Sequence, residues 1–469
     1  MNGDIVWDGV ECDSRKVKKG DLFVAIDGVN VDGAKFAQDA VKKGAVLIAS
    51  SHEIPNLGVP VMIVDNPRKF LGEAAAKVER NPSEELNVYG ITGTNGKTST
   101  TWILAELLSN AGYITTVETF TGMRKFDSLH TTPDAITLQG LFSEMREAEL
   151  PSCVMEVSSH AIDQWRIAGT KFAGGAFTNL SEDHLDYHED MLKYFEAKLG
   201  FFKYLAETNP GAKAVICMDS PFGAEILQAV KDLPLDVITC GCCEGVDFSA
   251  SEIKISSTGT SFILSTLNGE KAFVACPLSG RYNVSNVLVA SALAYSAGVS
   301  FDKIVEKISK LYPRWGRLER VESESEGDVF IDFAHSNDAL ENVLATVREF
   351  TKSQVWVVFG AGGNRDKTKR PLMGEAAAKY ADKVIITSDN PRDEDPLVII
   401  GHIADGIPPG TDAIVLPDRK EAIHWALLNA KKGDSVVICG KGHETCQEIA
   451  GVVYPFNDRE EVLRYVHKA

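Results

Sequence analysis

The stretch Tyr89-Gly-Ile-Thr-Gly-Thr-Asn-Gly-Lys-Thr-Ser-Thr100 decides how the chain is interpreted, because it joins a strand, a glycine loop and a helix start. An apolar run over 87–92 precedes the glycines, and a helical pattern of apolar residues follows over about 97–111. Gly-Lys-Thr at such a junction is typical of a phosphate-binding loop. The usual loop has another glycine five positions before the Gly-Lys pair, where this chain has Ile91.

The segment Gly93-Thr-Asn-Gly-Lys-Thr98 nevertheless keeps the parts that bind a nucleotide. Its glycines let backbone N–H groups face a phosphate, and the following helix presents its positive N-terminal end. Lys97 can neutralise phosphate charge, and Thr98 offers a hydroxyl to Mg²⁺. The alternative is a strand-to-helix turn rich in small residues. We predict that six residues bind ATP: Gly93, Thr94, Asn95, Gly96, Lys97 and Thr98.

Length and charge limit the classes of protein to consider. A chain of 469 residues is long enough for about three domains. The formal net charge of −18, with no long basic stretch, argues against nucleic-acid binding. No apolar run approaches the roughly 20 residues of a membrane span, and the start resembles no signal peptide, so we expect a cytoplasmic protein. Nine scattered cysteines predict reduced thiols. The motif Cys240-Gly-Cys-Cys243 could be an inert loop or a metal knuckle.

The chain divides into three α/β segments, 1–86, 87–311 and 312–469. Short strand-like runs and helices fill the first, and the second opens with the phosphate loop. Alternation and turn signals over 247–276 predict antiparallel strands. In the third, buried strands separated by helices predict a parallel sheet covered on both faces, with ligands beyond the carboxyl ends of its strands.

Two further groups of polar residues follow predicted strands. Glu156 ends an apolar strand, and His184 lies in a His-Leu-Asp-Tyr-His run, so both are candidate Mg²⁺ ligands. The histidines could equally form a partly buried helix face. In the third segment, Arg365, Arg392 and Lys441 offer cations, and Glu444 an anion, at one sheet edge. That set complements a zwitterionic amino acid, although surface turns with charged tips would show the same pattern.

Taken together, these motifs resemble those of the Mur ligases, the amide-forming enzymes of peptidoglycan synthesis. Gly93-Thr-Asn-Gly-Lys-Thr98 matches their phosphate loop, which folylpolyglutamate synthetases share, and Asp13-Ser-Arg-Lys-Val-Lys-Lys-Gly-Asp-Leu-Phe-Val-Ala-Ile26 resembles a Mur ligase first domain. Asp389-Asn-Pro-Arg392 is similar to the signature with which some members recognise meso-diaminopimelate. The resemblance covers essentially the whole chain. It implies an N-terminal UDP-binding domain, a central P-loop ATPase-like domain with a parallel sheet plus a small antiparallel sheet, and a C-terminal Rossmann-like domain.

The implied reaction joins meso-diaminopimelate to the D-glutamate of UDP-N-acetylmuramoyl-L-Ala-D-Glu through an acyl phosphate, using ATP and Mg²⁺. L-Lysine as the amino acid, and a folylpolyglutamate-synthetase-like ligase, remain alternatives. A P-loop switch or motor is a third alternative, from a different class. We expect a monomer that contacts neither nucleic acid nor membrane.

The resemblance also assigns roles residue by residue. Catalytic roles fall to Lys97, Glu156, His184 and Lys198, with Lys198 carrying a carbon dioxide adduct (a carbamate). Metal-site roles fall to Thr98, Glu156, His184 and the Lys198 carbamate. The nucleotide would also contact Asn283, Asn286, Arg317, Asp332 and His335. The UDP-muramoyl dipeptide would contact Ser14, Asn30, Thr131, Thr132, Ser158, Gln164 and Arg166. The incoming amino acid would contact Arg365, Asp389, Asn390, Pro391, Arg392, Gly440 and Glu444.

Overall fold

The computed structural model describes residues 6–28, 32–314 and 316–465. Its first sheet is four-stranded, parallel and ordered β1-β2-β3-β4. The strands are β1 (Val10–Glu11), β2 (Leu22–Val24), β3 (Leu47–Ser50) and β4 (Val61–Ile63), with helices α1 (Ala37–Lys43) and α2 (Pro67–Val78). Helix α2 starts where Asn66 accepts a hydrogen bond from Lys69 N–H, with proline at its first position, a favoured arrangement for a helix start. Short 3₁₀ helices span Gly33–Phe36 and Pro82–Glu84.

The second sheet has eleven strands in the order β15-β14-β13-β12-β11-β10-β5-β9-β6-β7-β8. The strands are β5 (Asn87–Thr92), β6 (Ala111–Ile114), β7 (Glu118–Phe120), β8 (Lys125–Asp127), β9 (Ser152–Glu156), β10 (Phe172–Phe177), β11 (Lys213–Cys217), β12 (Asp236–Gly241), β13 (Phe248–Ser256), β14 (Gly259–Thr266) and β15 (Lys271–Cys276). The helices are α3 (Lys97–Leu108), α4 (Ala135–Glu147), α5 (Ser159–Asp163), α6 (Leu185–His188), α7 (Met191–Thr208), α8 (Gly223–Val230), α9 (Arg281–Ser296) and α10 (Phe301–Ile308).

Strand β5 lies in the parallel middle of this sheet, between β9 and β10. Gly90 is needed there, because a Cβ at that position would lie 2.5 Å from the Phe201 ring of helix α7. The antiparallel strands predicted over 247–276 are confirmed as β13, β14 and β15, and they continue the same sheet at one edge. Strands β6, β7 and β8 end the other edge, where the pairs β6–β7 and β7–β8 are antiparallel.

Helix α3 is shorter than the sequence predicted. It ends at Leu108, because Ser109 and Asn110 adopt positive φ values of 59° and 53°, and Ala111 already belongs to strand β6. The predicted end near Ala111 is therefore wrong by about one helical turn. The predicted apolar positions Leu107 and Leu108 both lie in its final turn.

The third sheet has six strands in the order β16-β17-β21-β18-β19-β20, parallel except for β16. They are β16 (Glu319–Val321), β17 (Asp328–Asp332), β18 (Val355–Phe359), β19 (Lys383–Ile386), β20 (Ala413–Val415) and β21 (Ser435–Cys439); a separate hairpin pairs β22 (Cys446–Ile449) with β23 (Val452–Pro455). The helices are α11 (Asn337–Phe350), α12 (Lys369–Tyr380), α13 (Pro396–Ala404), α14 (Arg419–Asn429) and α15 (Asp458–Arg464).

Helices cover both faces of the third sheet, α11, α12 and α13 on one and α14 and α15 on the other. The predicted α/β class is confirmed, while the boundaries 1–86, 87–311 and 312–469 remain predictions. A fully buried ion pair joins Arg419 to Asp458, and Arg419 Nη2 also donates to the carbonyl of Cys439 at 2.8 Å. This pair holds the carboxyl end of β21 in place, and the candidate site lies next to that end. Among the described helices, none combines the length and apolar character needed to cross a membrane.

Candidate active site

The phosphate loop connects β5 to α3, as the sequence predicted. Gly96 precedes the helix at φ 81°, and a Cβ there would lie 2.3 Å from Asn286 Oδ1. A Cβ on Gly93 would lie 1.9 Å from Thr178 Oγ1. Both positions therefore require glycine. Lys97 Nζ reaches back over the loop and donates to the carbonyls of Gly93 and Thr94 at 2.9 and 2.7 Å.

The segment after β10 holds the loop in shape. Asn95 N–H donates to Asn179 Oδ1 at 2.8 Å, and the carbonyl of Asn95 accepts from Thr178 Oγ1 at 2.7 Å. Thr94 Oγ1 lies 3.1 Å from the Tyr194 hydroxyl. The side chain of Thr94 therefore helps to hold the loop in shape. Sequence reasoning gave Thr178 and Asn179 no role, although they follow a buried strand.

Glu156 is a buried acidic group of the site, with only 1% of its surface exposed. Its Oε1 accepts from Thr98 Oγ1 at 2.7 Å and from Thr116 N–H at 2.8 Å. A carboxylate beside a hydroxyl at the end of a phosphate loop suits Mg²⁺, which takes one or two carboxylates and completes its coordination with phosphate and water. The described residues contain no group of three acidic, histidine or cysteine side chains able to hold a metal alone. The donor set therefore fits a metal that arrives with a nucleotide.

His184 stands at the start of α6 in a left-handed conformation with φ 56°. Its Nε2 lies 3.5 Å from Asp183 Oδ2, and its ring makes an edge contact with His160, with centroids 5.1 Å apart. Partial burial lowers the pKa of His184 to about 4, against the opposing effect of Asp183. The ring is consequently neutral at pH 7 and keeps a nitrogen lone pair for a metal.

Lys198 is almost completely buried in helix α7, with 1% of its surface exposed. Its Nζ lies 4.3 Å from the centre of the Tyr194 ring, and no ion pair within the described residues includes it. Burial first, and then the charge of Lys97, lowers the pKa of Lys198 well below its usual range. A buried neutral amine is the form of lysine that can add carbon dioxide, so the residue fits the predicted carbamate.

A cavity of about 550 Å³ opens between the second and third sheets, beside the phosphate loop. The predicted nucleotide residues on its wall are Asn95, Gly96, Asn286, Arg317, Asp332 and His335. Arg317 Nη2 lies 3.4 Å from Thr98 Oγ1, and its buried Nε has no hydrogen-bond partner among the described residues. A spare guanidinium donor at this place suits an anionic ligand. Asn283 does not line this cavity, but it contacts a residue that does, because its Oδ1 accepts a hydrogen bond from Asn286 Nδ2 at 3.2 Å.

Asp332 ends strand β17 and is nearly fully buried. Its two oxygens accept from Leu318 N–H at 2.6 Å and Ala334 N–H at 2.7 Å. Burial raises the pKa of Asp332 to about 6, although the charge of Arg317 opposes that shift. The Asp332 side chain thus links the segment before β16 to the wall of this cavity.

The residues predicted to contact the muramoyl dipeptide form one hydrogen-bonded network. Arg166 Nη1 donates to the carbonyl of Thr132 at 2.9 Å, and Ser158 N–H donates to Thr132 Oγ1 at 3.1 Å. Gln164 Oε1 accepts from Arg166 Nη2 at 2.8 Å, and the hydroxyl oxygens of Thr116 and Thr131 lie 3.1 Å apart. Ser14 lies in the first α/β segment, outside this network as far as the described contacts go. Asn30 lies outside the described residues.

A second cavity, of about 450 Å³, adjoins His184 and extends to the carboxyl ends of the third sheet. On its wall are six of the seven residues predicted to bind the amino acid: Arg365, Asp389, Asn390, Arg392, Gly440 and Glu444. Pro391 is outside the wall, and its carbonyl oxygen lies so close to Gly363 that a Cβ there would sit 1.9 Å away. Pro391 therefore shapes the segment without facing the cavity.

The polar groups of this second cavity are tightly paired. Glu444 Oε2 accepts from Asn390 Nδ2 and from Lys441 Nζ, both at 2.8 Å. Arg392 Nη1 donates to the carbonyl of Gly363 at 2.8 Å, and Arg392 Nε lies 3.2 Å from Glu448 Oε2. Lys441, the third cation predicted at this sheet edge, is fully buried and pairs with Glu444. It supports Asn390 and Glu444 from behind.

Three family models match successive parts of the chain: "Mur ligase family, catalytic domain" over residues 7–79, "Mur ligase middle domain" over 91–294, and "Mur ligase, glutamate ligase domain" over 316–442. The chain belongs to the Mur ligase family, and it is a ligase.

Similar proteins within that family carry a more specific name. A protein of Bacillus velezensis called UDP-N-acetylmuramoyl-L-alanyl-D-glutamate--2,6-diaminopimelate ligase is 42% identical over 464 residues, which cover 97% of this chain and 94% of that protein. A protein of the same name from Alkaliphilus oremlandii is 39% identical over 472 residues, which cover 100% of this chain and 96% of that protein. A solved structure of a ligase with this name aligns with a TM-score of 0.72 and 33% identity, covering 97% of this chain and 94% of the other.

Proposed function

We propose that this ligase joins meso-diaminopimelate to the D-glutamate of UDP-N-acetylmuramoyl-L-Ala-D-Glu with ATP, as one step of peptidoglycan synthesis. The observation that carries the proposal is the second cavity, which leads from His184 beside the phosphate loop to Asn390, Arg392 and Glu444. The full-length similarity to ligases named for 2,6-diaminopimelate supports the same substrate. We place the reaction in the cytoplasm and expect the enzyme to act as a monomer.

The first chemical step activates the acceptor. The γ-carboxylate of the D-glutamate attacks the γ-phosphorus of ATP, the bond to the β,γ-bridging oxygen breaks, and an acyl phosphate and ADP result. Lys97 would offset the negative charge that builds up on the transferred group, as phosphate-loop lysines do. Arg317 would approach the same phosphates from the third sheet, since its guanidinium already lies near Thr98.

Thr98, Glu156 and His184 would hold Mg²⁺, and a carbamate on Lys198 would add a further anionic oxygen nearby. The ion would supply charge neutralisation at the phosphates, which Lys97 alone does only in part. An unmodified ammonium of Lys198 would repel a cation, whereas its carbamate would attract one. The low pKa of Lys198 supports this role, because only the neutral amine reacts with carbon dioxide.

The second step forms the amide. The free amine of diaminopimelate attacks the acyl carbon, the nitrogen loses a proton, and inorganic phosphate leaves with the electron pair of the broken C–O bond. Diaminopimelate carries a second amino-acid group at its far end. Arg365 and Arg392 would bind the carboxylate there and Glu444 the ammonium, which explains why both charges line one cavity. Because phosphate and amino-acid contacts come from different sheets, their relative placement governs the attack.

A substrate panel with purified protein tests the proposal. ADP release should require both UDP-N-acetylmuramoyl-L-Ala-D-Glu and meso-diaminopimelate, and mass spectrometry should find the UDP-linked tripeptide. Preference for L-lysine at equal concentration would contradict the assignment of Asn390 and Arg392. Ligation of L-glutamate to a folate would indicate a folylpolyglutamate synthetase instead. ATP hydrolysis that ignores the amino acid would indicate a P-loop switch or motor.

A further inference from the structure

The hairpin β22–β23 lies directly against the Asp389-Asn-Pro-Arg392 segment. Arg392 N–H donates to the carbonyl of Glu448 at 3.0 Å, and Ala450 N–H donates to the carbonyl of Arg392 at 2.7 Å. Gln447 Nε2 donates to the carbonyl of Asp389 at 2.6 Å. The first strand of the hairpin therefore forms a wall behind the residues that face the amino-acid cavity.

Glu448 is the residue of this wall that contacts both Asn390 and Arg392. Its N–H donates to Asn390 Oδ1 at 3.0 Å, its carbonyl accepts from Arg392 N–H, and its Oε2 lies 3.2 Å from Arg392 Nε. The carboxylate does not line the cavity itself, and its side chain is 42% exposed against 21% for Arg392. The Glu448 carboxylate thus acts on a ligand only through Arg392.

Glu448 is the carboxylate that pairs with Arg392, while Lys441 pairs with Glu444. Removing the Glu448 charge would leave Arg392 without an ion-pair partner among the described residues. An unmatched guanidinium attracts a lone carboxylate more strongly, and it repels an ammonium that lies beside that carboxylate.

We propose that Glu448 is a positioning residue that sets the selectivity of Arg392, favouring amino acids whose far end carries an ammonium beside the carboxylate. The inference rests on the proposed function, because it concerns how the far end of diaminopimelate is recognised. With Nη1 bonded to Gly363 and Nε paired with Glu448, the guanidinium is held in one orientation. Its remaining Nη2 is left for the ligand, and its net attraction for anions is reduced.

The test compares two substrates in the wild type and in Glu448→Gln. Glutamine has the same shape and keeps the backbone hydrogen bonds, so the substitution changes little but the charge. One substrate is meso-diaminopimelate, and the other is 2-aminopimelate, which keeps the far carboxylate and lacks the far ammonium. The ratio of kcat/KM for the first to that for the second should fall roughly three- to tenfold, through KM rather than kcat.

Two further variants separate charge from structure. Glu460→Gln removes an exposed partner of Arg464 elsewhere in the third segment, and it should leave the ratio unchanged. Glu448→Asp keeps the charge and should keep the wild-type ratio. Three outcomes would each overturn this inference but not the proposed function. They are an unchanged ratio in Glu448→Gln, an equal loss of kcat with both substrates in Glu448→Gln, and the same change of the ratio in Glu448→Asp as in Glu448→Gln. A wild-type enzyme that ligates neither substrate would instead contradict the proposed function.

Discussion

The hydroxyl of Thr98 donates to the carboxylate of Glu156 at 2.7 Å, which joins the first turn after the phosphate loop to the end of the neighbouring strand β9. The same carboxylate accepts from the backbone and side chain of Thr116. One oxygen of this nearly inaccessible acid therefore contacts the first turn of α3, and both oxygens contact Thr116. A buried carboxylate is costly unless hydrogen bonds or a cation stabilise its charge, and a nucleotide-bound metal would supply the cation.

Replacing Glu156 by glutamine should lower amino-acid-dependent ADP release about 100-fold, a typical loss for a group that stabilises transition-state charge. It should also raise the Mg²⁺ concentration that gives half-maximal activity. The matched control is Glu118→Gln, because Glu118 is likewise a buried carboxylate of the same sheet but pairs with Tyr113 and Lys125. Equal Mg²⁺ dependence in the two variants would exclude Glu156 from the metal site.

Gly96→Ala should weaken nucleotide binding at least tenfold, measured by titration with a fluorescent ATP analogue. The added methyl would meet Asn286 Oδ1 at 2.3 Å, and φ of 81° is itself unfavourable for alanine. Gly211→Ala provides the control, because Gly211 has φ 86° with no atom near its missing Cβ. That variant should lose about 1–2 kcal/mol of stability from backbone strain while binding normally. Similar affinities in the two variants would mean that contact with Asn286 is irrelevant to the loop.

The buried Asp332 predicts how stability depends on pH. Its folded-state pKa of about 6 lies above the ordinary aspartate value of 3.8, so folding favours the protonated form. The stabilisation is complete below about pH 4 and is lost as pH rises through about 6, at a cost of about 2–3 kcal/mol. Asp332→Asn cannot titrate. The difference in free energy of unfolding, wild type minus variant, should therefore fall by that amount between pH 4 and pH 7 in chemical denaturation. Parallel pH profiles would contradict the raised pKa.

What the sequence predicted well is local. Residues 87–108 form a strand, a glycine loop and a helix in the predicted order, and Glu156 ends strand β9 as the apolar run before it indicated. Alternating strands and helices predicted the α/β class, because each element has its own local residue pattern. Periodicity, in contrast, overestimated the length of helix α3, since the positive φ values of Ser109 and Asn110 are not visible in an apolar pattern.

What the sequence missed depends on contacts between distant segments. Lys441 carries a charge that its motif places at a sheet edge, yet Asn390, Glu444 and the surrounding chain bury it completely. Thr116 reaches Glu156 only because β6 pairs with β9, and its sequence neighbourhood gave no sign of that contact. Glu448 likewise lies beside Arg392 because the hairpin β22–β23 forms backbone hydrogen bonds with Arg392. Each role is created by tertiary structure, and no local pattern encodes it.

Lys198 should show a conflict between stability and activity. Methionine has a similar length and no nitrogen, so Lys198→Met removes an amine that burial disfavours. We expect it to raise the free energy of unfolding by about 1–3 kcal/mol in buffer depleted of carbon dioxide, while abolishing ligation. Lys203→Met is the control, because Lys203 lies exposed on the same helix and should change neither property.

The conflict follows from the carbamate proposal. If Lys198 served only for packing, its replacement by methionine would not reduce activity. If Lys198 carries a carbamate, its amine must stay in an apolar environment until it reacts with carbon dioxide, and the replacement abolishes activity. Lys198→Ala should therefore regain part of its activity with acetate or propionate, which can enter the vacated space and supply the missing anion. In the wild type, labelled carbon dioxide should give a carbamate signal by ¹³C NMR that disappears in Lys198→Met. Full activity of the alanine variant without added acid would show that the buried amine has a structural role alone.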